Sequence, residues 1–129
     1  MHKRNNPSFI QFLPGIAWFF VVLLLLCMPG EKIPKSKWLS IIFFDKMVHV
    51  ACFGLLVVLF YWPLRRQAGN RLYLARLAIA TVVWGITTEF IQKFFILHRS
   101  FDLLDWLADS TGALLAWWGL LAWQKRKSG

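Results

Sequence analysis

In the stretch HRSFDLLDWLADSTG, residues 98–112, Asp102, Asp105, Asp109 and Gly112 follow at steps of three, four and three. On a helix this spacing places them on one stripe. The apolar segment before it has its own stripe, Thr81, Gly85, Thr88, Glu89 and Gln92, and an earlier segment opens with Asp45, Lys46 and, four residues after Asp45, His49. These residue types can do recognisable chemistry. A histidine one turn from an aspartate can be oriented as a base or nucleophile, and a neighbouring Glu89 or Asp105 can serve as acid or metal ligand. Lys46 and Arg99 supply counter-charge, and the arginine fork matches phosphate. Five carboxylates near one histidine repel unless cations, shared protons or a metal compensate. A hard divalent ion suits Asp and Glu oxygens, but no spacing here is a specific metal signature. No residue is therefore assigned as a metal ligand, and no cofactor is assigned.

Several of these features also have a plainer explanation. Asp102 and Asp105 stand where a helix begins, and acids there cap free N–H groups and favour the positive end of the dipole. Capping cannot account for Asp109, which lies past the first turn. Thr81, Gly85 and Thr88 suit helix packing, and Ala108-x3-Gly112-x3-Ala116 is a small-residue pattern of close helix contact. His98 and Lys93 read as loop and snorkelling residues. Glu89 and Gln92, in the middle of a long apolar segment, have no such explanation.

The elements that must position these groups follow from composition. Of the 129 residues 58% are hydrophobic, with eight Trp, twelve Phe and only six acids. A soluble fold of this length could not hide that much apolar surface, so the chain reads as an integral membrane protein of one domain, residues 1–129. The net charge of +9 does not imply nucleic acid. The basic residues are scattered between apolar segments, where they act as topology signals and lipid anchors. Cys27 and Cys52 lie inside apolar runs and read as packed small hydrophobes rather than a disulfide.

A spanning helix needs about 20 mostly apolar residues to cross roughly 30 Å of hydrocarbon. Four segments qualify: about 9–28, 46–64, 72–97 and 103–123. The expected fold is an all-α bundle of four transmembrane helices. In the longest connection, 29–45, the end WLSIIFF reads as an interfacial segment. The first span follows His2-Lys3-Arg4 as a signal peptide would, but its apolar run is long and no A-x-A site follows. The residue before Cys27 is Leu, which argues against a lipoprotein signal. Nine Lys and Arg fall on the side of both termini (Lys3, Arg4, Arg65, Arg66, Arg71, Arg76, Lys125, Arg126, Lys127), against six on the other (Lys32, Lys35, Lys37, Lys46, Lys93, Arg99). That bias sets both termini inside. Every acid (Glu31, Asp45, Glu89, Asp102, Asp105, Asp109) falls on the six-count side. In such a bundle the polar stripes share one membrane level and wall an outward-facing polar pocket, where ionisable residues are functional by default. The short echo between FDKMVHVACFGLL and LDWLADSTGALL also fits a parallel duplication of two-span units.

Three motifs in order, DKMVHVACFGLL (Asp45, Lys46, His49, Phe53), GITTEFIQKF (Gly85, Glu89, Gln92) and RSFDLLDWLADSTGALLAW (Arg99, Asp102, Asp105, Gly112), resemble the VanZ-like family of small polytopic bacterial membrane proteins. The resemblance covers about residues 45–120. One departure is Asp109, where the family pattern usually has Asn. The resemblance implies a multi-pass protein of the bacterial cytoplasmic (inner) membrane. The family takes its name from a protein giving low-level resistance to the glycopeptide teicoplanin, so an accessory role in glycopeptide resistance is implied as well.

Two functional classes follow. The first is binding of a cell-envelope amphiphile: a polyprenyl-phosphate, a lipid-linked wall precursor or a lipoglycopeptide. Its head would meet Asp45, Lys46, His49, Glu89, Gln92, Arg99, Asp102, Asp105 and Asp109. The second is a membrane-embedded hydrolase or phosphoryl transferase acting on such a lipid, with His49, Glu89 and Asp105 as candidate catalytic residues. No G-x-S-x-G is present, and Ser100 and Ser110 have no recognisable activator, so binding is the preferred class. A scaffold whose polar network only fixes helix register is the remaining alternative.

Overall fold

Punctuation by proline explains where the first helix begins and ends and where the second ends. The computed structural model describes residues 6–29, 38–67 and 70–128. A 3-10 turn, Phe9–Phe12, leads into α1, Leu13–Leu26, whose first turn carries Pro14. There the missing N–H costs nothing. Beyond the C-cap Cys27, Met28 donates to the Leu25 carbonyl in a tightened turn, and Pro29 cannot continue the helix. Helix α2, Trp38–Tyr61, passes into a second 3-10 turn, Trp62–Leu64, that contains Pro63. Helix α3 spans Asn70–Phe95 and α4 spans Leu103–Ser128. Between them His98 adopts a left-handed φ of 59°, the conformation that most often reverses the chain after a helix.

Contacts fix the directions. Trp18 donates its indole N–H to the Cys52 carbonyl at 3.0 Å, and Gly15 lies against the Phe60 ring, so α1 and α2 are antiparallel. Helices α2 and α4 run parallel and very close. A Cβ on Gly54 would sit 3.2 Å from the Gly112 carbonyl oxygen, and one on Gly112 would overlap the Val50 carbonyl. Helix α3 runs opposite to α4, with Trp106 donating to the Val82 carbonyl at 3.1 Å. Val57, Tyr61, Leu74, Ala113 and Leu120 form one apolar cluster, and Val22, Leu26, Cys52 and Phe53 a second. Cys27 and Cys52 are both free thiols.

The outside of this bundle is as apolar as its inside. Phe20, Leu24, Phe43, Phe44, Met47, Ile79, Val83, Phe94, Leu104, Leu115 and Trp118 are all exposed, while Glu89, Gln92, Asp105 and Asp109 are buried. That inversion marks a membrane protein. Three segments, Phe9–Leu26, Phe43–Leu64 and Arg71–Phe95, are long and apolar enough to cross a membrane. The fourth expected span corresponds to α4, which continues past residue 123 to Ser128. Asp105, Asp109, Ser110 and Thr111 dilute its apolar character, which is why length and composition single out three helices and not four. The WLSIIFF segment is the beginning of α2. Lys3, Arg4, Glu31, Lys32, Lys35 and Lys37, used in the topology count, lie outside the described residues.

Candidate functional site

The site is built on the start of α4. Asp102 caps that helix, its Oδ1 accepting the Leu104 N–H at 2.8 Å. The N–H of Asp102 itself is satisfied from another helix, donating to Glu89 Oε2 at 2.8 Å. A capping box normally takes both partners from one helix; here α3 supplies the returning carboxylate. The second oxygen of Asp102 faces Lys46, whose Nζ donates to it at 3.0 Å and also donates to Asp105. Asp45 completes that ion group at 3.9 Å from the same nitrogen.

One turn deeper lies His49, 5% exposed, with Nδ1 2.7 Å from Asp109 Oδ1. This contact holds Nδ1 against a carboxyl oxygen. It leaves Nε2 facing Asp105 Oδ1 at 3.8 Å. Asp109 has no solvent exposure, and Gly85 makes room for it. A Cβ at Gly85 would come within 3.1 Å of Asp109 Cβ and 3.3 Å of Trp106. The second oxygens of Asp109 and Glu89 are buried and have no hydrogen-bond partner among the described residues.

The expected residues therefore divide. Asp45, Lys46, His49, Glu89, Asp102, Asp105 and Asp109 come together. Gln92 and Arg99 do not join them; both donate to the Leu26 carbonyl at the end of α1, at 2.9 and 3.4 Å. Arg99 makes no ion pair among the described residues, because its guanidinium is turned to that carbonyl. It supplies no counter-charge at the contact distances that Lys46 reaches. Thr81 and Thr88 are buried but spend their hydroxyls on their own helix, bonding Leu77 and Gly85 carbonyls, so packing is their role. His98 sits exposed in the α3–α4 turn.

The cluster is graded in exposure. Asp45 and Asp102 are 43% and 44% exposed at its mouth, Lys46 is 21% exposed, and Asp105 is 8% exposed. At Asp102 burial works to raise the carboxyl. The Lys46 ammonium and the Leu104 N–H outweigh it and hold the group below the usual carboxylate range. Asp45, His49 and Asp105 each offer a ligand atom, and the three atoms lie within 4.8 Å of one another. Residues 45 and 49 are more than fifty positions from 105, so no local motif could reveal this grouping. Two contributors were also invisible in the sequence. The Leu26 carbonyl is a backbone acceptor with no residue signature, and Trp106 anchors α4 to α3 through an indole that reads as bulk.

Among known proteins, the uncharacterized protein C11E3.10 of Schizosaccharomyces pombe is 30% identical to this chain over 125 residues, covering 94% of this chain and 73% of the yeast protein. No family model and no solved structure matches the chain.

Proposed function

The chain belongs to the same family as that fission-yeast protein, and from its acidic end we propose that it binds the polar head of a membrane amphiphile. One observation carries this reading: the half-exposed Asp45–Lys46–Asp102 mouth is bordered by exposed apolar side chains. Phe43, Phe44 and Met47 stand beside it on α2, and Leu103 and Leu104 on α4. Such a border offers a surface for a tail next to acceptors for a head. The head must donate hydrogen bonds, because the carboxylates outnumber the cations and repel a bare anion. A lipid-linked saccharide meets both needs, with hydroxyls for Asp45 and Asp102 and its phosphate at Lys46.

Within this reading α4 is a fourth span. Its exposed residues Leu103, Leu104, Leu107, Leu114, Leu115 and Trp118 form an apolar outer face, and its acids point inward. Both termini lie inside, on the Lys and Arg bias, and the acidic mouth opens outward. The likeness of the three motifs to VanZ-like proteins supports a cell-envelope role in a bacterial inner membrane. The fission-yeast relative favours a head group common to both kinds of cell over a wall precursor or lipoglycopeptide confined to bacteria. A second reading, a membrane-embedded hydrolase or phosphoryl transferase, draws on the Asp109–His49 pair, which holds an imidazole with one nitrogen turned toward Asp105.

Native mass spectrometry of the detergent-purified protein tests both. Wild type should retain a polyprenyl-phosphate-linked sugar, and the Asp45→Asn/Asp102→Asn variant should lose it while still folding. Equal retention by both proteins, or retention by neither, overturns the binding reading. A lipid mass that changes with time establishes the enzyme instead.

A further inference from the structure

We propose that Asp45, His49 and Asp105 form a site for a divalent first-row transition ion, of the class of Mn2+ or Zn2+, and that Lys46 is its internal competitor. The proposal does not depend on the lipid reading: the ion binds or fails to bind whatever head group the mouth accepts.

Geometry is the first support. Ions of this class bind carboxylate and imidazole atoms at about 2.0–2.2 Å, so ligand atoms around one ion lie up to roughly twice that distance apart. The Asp45, His49 and Asp105 atoms, all within 4.8 Å of one another, need only small side-chain rotations to close on it. Asp45 and His49 are one turn apart on α2, and Asp105 faces them from the parallel helix α4. The Gly112–Val50 and Gly112–Gly54 approach that fixes the register of these helices thereby fixes the ligands.

The second support is the residue behind the histidine. Metal-binding imidazoles characteristically donate their other N–H to a carboxylate, which sets the tautomer and aims the lone pair. Asp109 occupies that place at 2.7 Å from Nδ1, with no solvent exposure, and leaves Nε2 turned toward Asp105. Asp109 Oδ2 and Glu89 Oε1 are both buried and unpartnered among the described residues. The donor set, two carboxylates and one imidazole, suits Mn2+, Fe2+ or Zn2+ better than Mg2+ or Ca2+, which prefer all-oxygen shells. Three protein ligands also leave coordination positions open, as in sites where a metal meets a substrate or water.

Lys46 explains how the site survives without metal. Its ammonium contacts Asp105, Asp102 and Asp45, and two of those three are the proposed carboxylate ligands. Ammonium and ion are therefore alternative occupants. The flexible stem lets Nζ withdraw to Asp102 alone when the ion enters.

The full chain, purified in detergent and stripped with a chelator, is titrated with Mn2+ alone. Bound ion is counted by equilibrium dialysis with elemental analysis, and pulsed EPR detects coordinated imidazole nitrogen. Wild type should bind one ion per chain with a nitrogen coupling. Asp45→Asn, at a half-exposed position that leaves the fold intact, should weaken binding about tenfold or more. Lys46→Gln should tighten it by about tenfold, since it removes a full competing charge from the ligands. Absence of a stoichiometric ion in both wild type and Lys46→Gln overturns the proposal. So does an ion whose affinity is indifferent to Asp45→Asn and Lys46→Gln, or one without nitrogen coupling.

Discussion

Helices α2 and α4 lie side by side along their whole contact, yet its two ends are built on opposite principles. From Asp45 to Gly54, against 102–112, the interface holds buried ions and two glycines whose backbones touch. From Val57 to Tyr61, against 113–124, it holds Val57, Tyr61, Ala113 and Leu120, with Leu74 of α3 between. Trp62 and Trp123 then stack at 5.9 Å, each with a cation over its face, Arg65 at 4.4 Å and Lys127 at 4.3 Å. An apolar interface tolerates small shifts, because dispersion and burial fall off gradually. The glycine-and-ion end tolerates little, because hydrogen bonds and ligand distances fail within tenths of an ångström. The difference assigns roles: the second end holds the helices together, and the first holds them in register.

The largest break in that comparison comes from Gly112→Ala. The added methyl would overlap the Val50 carbonyl, a backbone group that cannot rotate away. The helices must separate locally at a cost of about 3 kcal/mol, the upper end for overpacking. The same separation pulls Asp109 from His49 and Asp105 from Lys46. Chemical unfolding in detergent, followed by tryptophan fluorescence, should show the loss. A variant as stable as wild type would mean that the glycine contact does not set the register.

How far the sequence reveals this site follows from the same contact. Spacing within one segment gives a face, so the Asp102–Asp105–Asp109–Gly112 stripe, the Glu89 stripe and the Asp45–His49 pair are all legible. So is their collection at one end of an all-helical bundle. Register between helices is not, since it rests on one glycine meeting one carbonyl about sixty residues away in the chain. Lys46 against Asp105, and His49 against Asp109, thus emerge only with the fold. Arg99 misleads for a related reason. Its type suits an anion, but the open carbonyl of Leu26, left by the end of α1, claims it first. The expected fourth span misleads in the other direction. Asp105 and Asp109, with Ser110 and Thr111 beside them, remove α4 from the helices that composition alone marks as spanning.

A smaller effect sharpens the ionic side. Asp102 is held below the usual carboxylate range in the folded protein, against about 3.9 in the unfolded chain. A depressed folded value contributes stability that is fully present above the unfolded value and is lost as pH falls through the folded one. Wild-type melting temperature should therefore fall as pH drops below about 4. Asp102→Asn keeps a capping side chain at the start of α4 but abolishes the carboxyl titration and the negative charge that faces Lys46. Its melting temperature should be lower than wild type near neutral pH and less steep in acid. With Asp102 almost half exposed, solvent screening keeps the difference small. Parallel slopes for the two proteins would show that the Lys46–Asp102 pair adds nothing measurable to stability.

The smallest effect, and the one with the opposite sign, belongs to Gly119. It lies two turns beyond Gly112 on the same helix, and a Cβ there meets nothing within 4 Å. Without a close approach to preserve, the glycine only adds backbone freedom to the unfolded chain. Gly119→Ala should stabilise the protein by up to about 1 kcal/mol, the difference in helix propensity, and leave Mn2+ binding unchanged. The pair of alanine substitutions thus isolates geometry from composition: the same residue, the same helix and the same added methyl, with opposite outcomes set by what faces each position. If Gly119→Ala were as damaging as Gly112→Ala, the second half of α4 would have to press against another surface, a further copy of the chain included. The division between a register-setting end and a holding end would then fail.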